Sequence, residues 1–369
     1  MLSIDARYYF HIFTWLVALL SFFVFSQYSS YSQSRLEKSG NFSLGVFLLM
    51  LFLVLFIGNR PISGKYFVDM SMYYHTWNLY TGSNYQITWN TTNKVFDNLL
   101  NSMASSGVSV DVFFVLIAAI YFVGMAWACS SLFPRDKMAA FLVYLGAFST
   151  FQYGTNGLKA GAAASLFLMA LAMYVNQRTL WAMVFLFLSW GFHHSMVLPV
   201  VAFVVCVFVK DPKWYFAFWI LSFFMAMFHI TFVQTLFAGF VDEEGAEYLM
   251  GYEEHIRHDI LGGFRIDFIA YSAAPVVIGW IAIFKKQIVS REYEFLLNLY
   301  ILINSVWMLC MYAEFTNRIA YLSWLMLPIV LIYPLLNEDW GEDQYRTFQW
   351  VALGHLAFTL FLNYAYYLI

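Results

Sequence analysis

Four cations at unusual positions are the side chains of this sequence best suited to chemistry. Arg60 follows an apolar run, Lys159 lies at the start of another, and Arg265 and Arg318 each precede one. Charges at membrane depth are costly and usually functional. Guanidinium groups match phosphate oxygens bidentately. If the four converge, they form a phosphate or diphosphate site; the alternative is a set of unrelated interfacial cations.

Lys159 is the most informative of the four cations. The run Asn156-Gly157-Leu158-Lys159 places this cation in the first turn of a predicted helix, at the positive end of its dipole. That placement is unfavourable unless an anion lies nearby. Residues 160–165 of the helix are small, which favours a central position in a bundle. Lys159 therefore faces either a cavity or, as a snorkelling side chain, the interface.

Two adjacent histidines, His193 and His194, supply a candidate general base, because imidazole titrates near neutral pH. The alternative is a hydrogen-bonded contact between helices. His255 and His258, with Glu254, resemble metal ligands in spacing, but they lie in a polar loop and the sequence fixes no further partner. We therefore predict neither a metal nor a cofactor.

Aromatic side chains cluster in the polar stretch 59–107, where Tyr73 and Trp77 are the leading candidates for stacking on a sugar face. Most other aromatic residues are expected in the core or at membrane interfaces.

The composition defines what must position these residues. Hydrophobic types make up 62% of the 369 residues and charged types 11%, against about a quarter charged in soluble domains. Mean hydropathy is +0.66 and net charge is −3, which gives no indication of nucleic-acid binding. The three cysteines lie in apolar runs and are expected to be packing residues. We predict one integral membrane domain spanning 1–369, without a soluble domain.

About twelve spans (range 10–13), some short or broken, are expected from the apolar runs, because a span needs about 20 mostly apolar residues. They are expected to be helices, because backbone N–H and C=O groups in lipid must be hydrogen-bonded within the protein. The stretch 180–209 is predicted to be two short helices meeting at Gly191-Phe192-His193-His194. The predicted spans are 8–27, 42–58, 108–130, 138–153, 157–175, 180–191, 195–209, 214–232, 268–284, 295–312, 319–336 and 348–367.

Basic residues in the short loops set the orientation. The loops 134–137, 210–213 and 285–286 carry Lys and Arg and are expected inside, which places the N-terminus outside. The long stretches 59–107 and 233–267 then face outward, the second of them acidic. All the candidate residues gather on this outer side.

An outward-facing site has no access to cytoplasmic nucleotides, so a group transfer there needs an activated donor delivered through the membrane. The sequence contains no Walker A, G-x-S-x-G, C-x-x-C or H-E-x-x-H motif. A lipid-linked sugar diphosphate fits, since arginines could stabilise its leaving group without a metal.

The order of these elements resembles the EpsG-like branch of Wzy-type polysaccharide polymerases. One departure is that the family usually has arginine, often followed by glutamine, where this chain has Lys159 and Ala160. The stretches that carry the resemblance are Gly58-Asn59-Arg60 with Asp69 and Tyr73, Asn156-Gly157-Leu158-Lys159, Phe192-His193-His194-Ser195, Gly263-Phe264-Arg265-Ile266-Asp267-Phe268 and Asn317-Arg318-Ile319-Ala320-Tyr321.

The resemblance implies an inner-membrane enzyme related to multi-span, metal-independent (GT-C-like) glycosyltransferases. Such an enzyme joins undecaprenyl-diphosphate-linked oligosaccharide repeats at the periplasmic or outer face, with membrane lipid and a chain-length regulator as further partners. On this hypothesis the four cations bind the diphosphate, and the base is His193, or else His194, Asp69 or Asp267. The acidic loop 242–259, including Glu253 and Glu254, helps to hold the acceptor glycan or closes over the site.

Two rival functions stay open at this stage. A membrane O-acyltransferase acting on surface glycans would also use a histidine within a multi-span bundle. A non-enzymatic transporter or lipid flippase would carry charged residues on both sides of the midplane, whereas the candidates here lie on one side.

Overall fold

A computed structural model describes residues 4–28, 44–232, 234, 263–313 and 316–367. These residues form helices and contain no β-strand. The helices are α1 Tyr9–Ser26, α2 Leu44–Gly58, α3 Val68–Tyr80, α4 Lys94–Ser105, α5 Val110–Leu132, α6 Lys137–Leu145, α7 Thr150–Thr155, α8 Leu158–Val175, α9 Thr179–Phe192, α10 Val197–Phe208, α11 Pro212–Met227, α12 Ile266–Trp280, α13 Arg291–Leu309, α14 Thr316–Trp324, α15 Leu327–Leu336 and α16 Gln344–Tyr367.

Five helical stretches among the described residues are long and apolar enough to cross a membrane: Ala6–Ser26, Val110–Leu132, Leu158–Val175, Ile266–Lys285 and Thr316–Leu336. Shorter apolar helices occupy Leu44–Gly58, Thr179–Phe192 and His194–Phe208. The protein is an all-helical polytopic membrane protein; twelve spans and a GT-C-like arrangement stay predictions.

The predicted break at the histidine doublet is confirmed. Helix α9 ends at Phe192, and His193 is extended, with φ −148° and ψ 121°. A short 3₁₀ turn, His194–Met196, then leads into α10. Two predicted single spans are each divided: 138–153 contains α6 and α7, and 319–336 contains α14 and α15.

The chain forms two compact units, and whether it is a single domain stays a prediction. The first unit comprises Met1–Val197, Leu335–Asn337 and Gly341–Ile369; the second comprises Leu198–Pro334 and Glu338–Trp340.

In the first unit α8 is the central helix, as its small residues predict. It packs against α5, α7 and α9. Ser165 of α8 donates a hydrogen bond to the Ile120 carbonyl at 2.7 Å, and Ser189 of α9 donates to the Ala163 carbonyl at 2.7 Å. Such close contacts between helix backbones need small side chains. The start of α8, which carries Lys159, is thereby fixed against its neighbours.

The second unit is built on α11 and α13, with α14 against α13. Buried polar side chains link its helices: the Trp219 indole donates to Asn304 Oδ1 at 2.8 Å, and the Asn304 amide donates to Ser323 Oγ at 3.0 Å. A buried amide needs such partners. The three cysteines are unpaired and buried, which confirms them as packing residues.

Candidate functional site

Lys159 lies against two aromatic rings that come from other helices. Its Nζ is 5.7 Å from the ring centroid of Tyr73 in α3 and 5.8 Å from that of Phe96 in α4. The two rings contact each other, with centroids 5.3 Å apart. Ring faces attract a cation electrostatically and leave it charged. The half-buried ammonium is thus contacted by two neutral rings.

The turn between α7 and α8 sets the position of Lys159. Thr155 ends α7, and Leu158 begins α8. A Cβ at Gly161 would lie 2.2 Å from the Tyr153 carbonyl oxygen, so only glycine lets α8 approach the α7 backbone this closely. The Asn156 amide donates to the Tyr66 carbonyl at 3.4 Å, which ties the turn to the segment before α3.

The end of α9 packs against α4, the helix that carries Phe96. A Cβ at Gly191 would lie 2.5 Å from Val95 Cγ2, and the Phe192 ring is 6.2 Å from Phe96. Phe96 itself is 1% exposed. Since Phe96 contacts both Phe192 and Lys159, α4 brings the histidine doublet and the cation into one region. We call the region formed by Tyr73, Asn93, Phe96, Lys159, His193 and His194 the α4 site.

Both histidines have defined hydrogen bonds. His193 Nδ1 accepts the Ser195 backbone N–H at 3.2 Å and also contacts Ser195 Oγ. His194 donates its backbone N–H to Asn93 Oδ1 at 3.1 Å, and its Nδ1 lies 3.3 Å from the same oxygen. The two rings stack, with centroids 5.1 Å apart. His193 is half-buried and His194 is exposed.

Arg60 is buried within the protein and is bonded to the end of α7, four residues before Lys159. Its Nη1 and Nη2 donate to the carbonyls of Ile57 and Thr155, at 2.7 and 2.6 Å. It is 3% exposed, and its Nε has no hydrogen-bond partner among the described residues. Burial lowers the pKa of the guanidinium, which nearby Tyr9 opposes. In this conformation Arg60 clamps the C-terminal ends of α2 and α7, and its diphosphate role stays a prediction.

The sugar-stacking candidates differ in exposure. Tyr73 is half-buried beside Lys159. Trp77 is 4% exposed, with its ring 5.3 Å from that of Phe113. The α3 face that carries Trp77 therefore packs inward in this conformation, and its role in sugar stacking stays a prediction. Asp69 is half-buried in the first turn of α3, where the helix dipole stabilises a carboxylate.

Three candidates belong to the second unit. The Arg265 guanidinium makes a bidentate pair with Asp267, with Nε–Oδ1 at 3.0 Å and Nη2–Oδ2 at 2.8 Å. It also covers the Phe268 ring at 3.5 Å. Arg318 is exposed near the start of α14. The four-cation cluster, which would need both units, stays a prediction.

Four candidates, Glu253, Glu254, His255 and His258, lie outside the described residues, with most of the acidic loop. Within the described part of the chain, no group of three or more His, Cys, Asp or Glu could hold a metal ion.

Sequence reasoning missed Asn93 and Phe96. Asn before a helix normally indicates an N-cap, and Phe96 is one of 40 phenylalanines, so neither stands out. The contacts of Asn93 with His194 and of Phe96 with Phe192 depend on the packing of α4 against α9, which local sequence does not specify.

A family model, that of the EpsG family, matches residues 43–368. No curated protein and no solved structure gave a significant match.

Proposed function

Because the chain belongs to the EpsG family of Wzy-type polymerase-like membrane proteins, we propose that it joins lipid-diphosphate-linked oligosaccharide repeats into a surface polysaccharide. The donor is an undecaprenyl-diphosphate-linked glycan and the acceptor is another such repeat. The transfer occurs at the α4 site, on the outer face of the bacterial inner membrane.

In the proposed reaction a hydroxyl oxygen of the acceptor attacks the anomeric carbon of the donor. The bond from that carbon to the diphosphate oxygen breaks, and its electron pair leaves with undecaprenyl diphosphate. A single in-line displacement inverts the anomeric centre. The histidine doublet accepts the hydroxyl proton, and Lys159 stabilises the charge that develops on the diphosphate.

The observation that carries this proposal is the environment of Lys159. Its ammonium is oriented by the rings of Tyr73 and Phe96, and no ion pair to Lys159 is formed among the described residues. A cation held by ring faces keeps its charge for a ligand. The adjacent histidines supply acid–base chemistry within the same region. These features suit a reaction in which a sugar hydroxyl attacks the donor and an anionic group leaves.

The proposal is tested with purified protein in proteoliposomes that contain lipid-diphosphate-linked repeats. Glycan length and released lipid diphosphate are measured together. We expect Lys159→Ala to lower turnover by about 100-fold or more, the usual effect of removing one group that stabilises a developing anion. Lys159→Arg, which keeps the charge, should retain most activity.

Lys65 provides a matched control, because its Nζ lies 5.2 Å from the Tyr66 ring but the residue is exposed. Lys65→Ala should leave turnover within twofold of wild type. Normal chain growth by a folded Lys159→Ala protein would remove Lys159 from the mechanism. Incorporation of a labelled acyl group, or lipid movement without new glycosidic bonds, would replace the proposed reaction with acyl transfer or transport.

A further inference from the structure

Asn93 breaks a local rule at the start of α4. It occupies the N-cap position, where asparagine side chains usually accept a backbone N–H of the first helical turn. Its side chain makes no such bond. Asn93 Oδ1 instead contacts His194, 101 residues away in sequence, and the residue is 4% exposed. Departures from local preference that serve a distant side chain are typical of functional sites.

The two bonds to Asn93 fix the tautomer of His194. The atom that accepts the His194 backbone N–H must be the amide oxygen, because the NH₂ group would oppose another donor. The same oxygen lies 3.3 Å from His194 Nδ1, so Nδ1 carries the proton. In neutral His194 the lone pair is therefore on Nε2.

His193 has the opposite tautomer. A backbone N–H can only donate, and the Ser195 N–H points at His193 Nδ1. The lone pair of neutral His193 is thus on Nδ1, where it caps the His194–Met196 turn, and the proton is on Nε2. Adjacent stacked rings consequently present one hydrogen-bond donor and one acceptor at their Nε2 atoms.

We propose that His194, through Nε2, is the group that takes the proton from the acceptor hydroxyl, and that Asn93 is the positioning residue that holds it in this tautomer. This assignment rests on the proposed glycosyl transfer and reverses the sequence-based prediction, which preferred His193 to His194. His193 caps the turn and donates through Nε2 to an oxygen of the substrate.

The proton balance is simple. As the acceptor oxygen bonds to the anomeric carbon, its proton passes to His194 Nε2, and the diphosphate leaves with the electron pair of the broken bond. The resulting imidazolium has two N–H donors, and Asn93 Oδ1 accepts the one at Nδ1. The ring returns the proton to water before the next cycle. The Asn93 amide thus favours the reactive tautomer before transfer and the cation after it.

Nitrogen NMR tests the tautomers directly. Protein labelled with ¹⁵N-histidine, in nanodiscs, contains eight histidines, and His193→Asn and His194→Gln identify two of them by loss of signal. We expect a protonated Nδ1 in His194 and a protonated Nε2 in His193. Asn93→Leu, which keeps the side-chain shape but removes the acceptor, should shift His194 toward the Nε2–H form. A His194 proton on Nε2 in wild type would overturn the assignment.

Kinetics separate the two histidines. Loss of a general base typically costs about 10²- to 10⁴-fold in rate, so His194→Gln should lower kcat by about 100-fold or more with little change in KM. His193→Asn retains an oxygen that can accept the Ser195 N–H and should lose less than about tenfold. Equal losses in both variants, or a larger loss for His193→Asn, would refute the assignment.

Asn93 variants give a third measure. Asn93→Leu should lower kcat at nearly constant KM, and Asn93→Asp, which retains the acceptor oxygen, should restore most of it. A purely structural role would instead reduce both variants in parallel with their thermal stability, which would also overturn the proposal. If wild-type protein elongates no glycan, the proposed function and the base role fall together, while NMR still decides the tautomers.

Discussion

Lys159 in the first unit and Arg265 in the second are both cations at the start of a helix, yet they are held differently. The ring partners of Lys159, Tyr73 and Phe96, come from two other helices, 86 and 63 residues away along the chain. Arg265 is held by Asp267 and Phe268, within three residues of itself. The ring contacts of the Lys159 ammonium depend on the packing of α3, α4 and α8. The ion pair and the ring contact of the Arg265 guanidinium lie within one short segment, whose backbone is bonded at Arg265 to Met311. Distant packing changes should therefore affect the first much more than the second.

The largest effect should come from Gly161→Ala. The new Cβ would meet the Tyr153 carbonyl at 2.2 Å, and a backbone atom cannot move without displacing α7. Overpacking a well-filled site costs about 1–3 kcal/mol, and backbone contact puts this variant at or above the upper end. We expect loss of most activity and a clear fall in unfolding temperature in detergent.

Gly279→Ala in α12 is the matched control. Its Cβ would also make a close contact, 2.6 Å, but with the terminal carbons of Leu297, which can rotate away. This variant should lose under about 1 kcal/mol, because alanine favours the helix and partly offsets the crowding. If both substitutions destabilise equally, the contrast between the two regions is wrong.

Arg60→Gln should have the next largest effect. The two hydrogen bonds from Arg60 hold Ile57 and Thr155, and Thr155 precedes Lys159 by four residues. Hydrogen bonds to charged groups contribute about 1.5–3 kcal/mol each, so their loss should lower the unfolding temperature measurably. Since the α7–α8 turn then loosens, turnover should fall with stability.

Arg7→Gln serves as its control, because the Arg7–Asp5 pair is exposed and such pairs contribute little. The alternative outcome is also informative. If Arg60→Gln keeps wild-type stability but raises KM for the lipid-linked donor, then Arg60 binds the diphosphate, as the sequence predicted. Its bonds to the ends of α2 and α7 would then contribute little to stability.

The sequence predicted the features that arise from local chemistry. The helix break at His193 follows from two polar rings beside Gly191, and the central position of α8 follows from its run of small residues. It did not predict the division of 138–153 into α6 and α7, because the run is mostly apolar and mean hydropathy does not register the turn after Leu145.

The site was predicted only as separate residues. Tyr73, Lys159 and His194 were each selected for side-chain chemistry, but the residues that unite them, Phe96 and Asn93, carry no distinctive local signal. The burial of Trp77 was not foreseen for the same reason: aromatic type does not reveal which face of α3 packs on Phe113. Tertiary packing between α4 and α9 decides these points.

The smallest effect tests the Arg265 side of the comparison. Asp267 neutralises Arg265 in this conformation, with side-chain exposures of 8% for Arg265 and 28% for Asp267. If Arg265 serves as a diphosphate ligand, Asp267→Asn leaves its charge uncompensated and should lower KM for the lipid-linked donor by about two- to fivefold, since a partly exposed ion pair is worth up to about 1 kcal/mol. Turnover should stay near wild type, because His194 is the proposed proton acceptor. Arg265→Ala should raise KM instead.

A different outcome would move the chemistry to the second unit. If Asp267→Asn lowers kcat by about 100-fold at constant KM, then Asp267 is the base, and the reaction takes place beside Arg265.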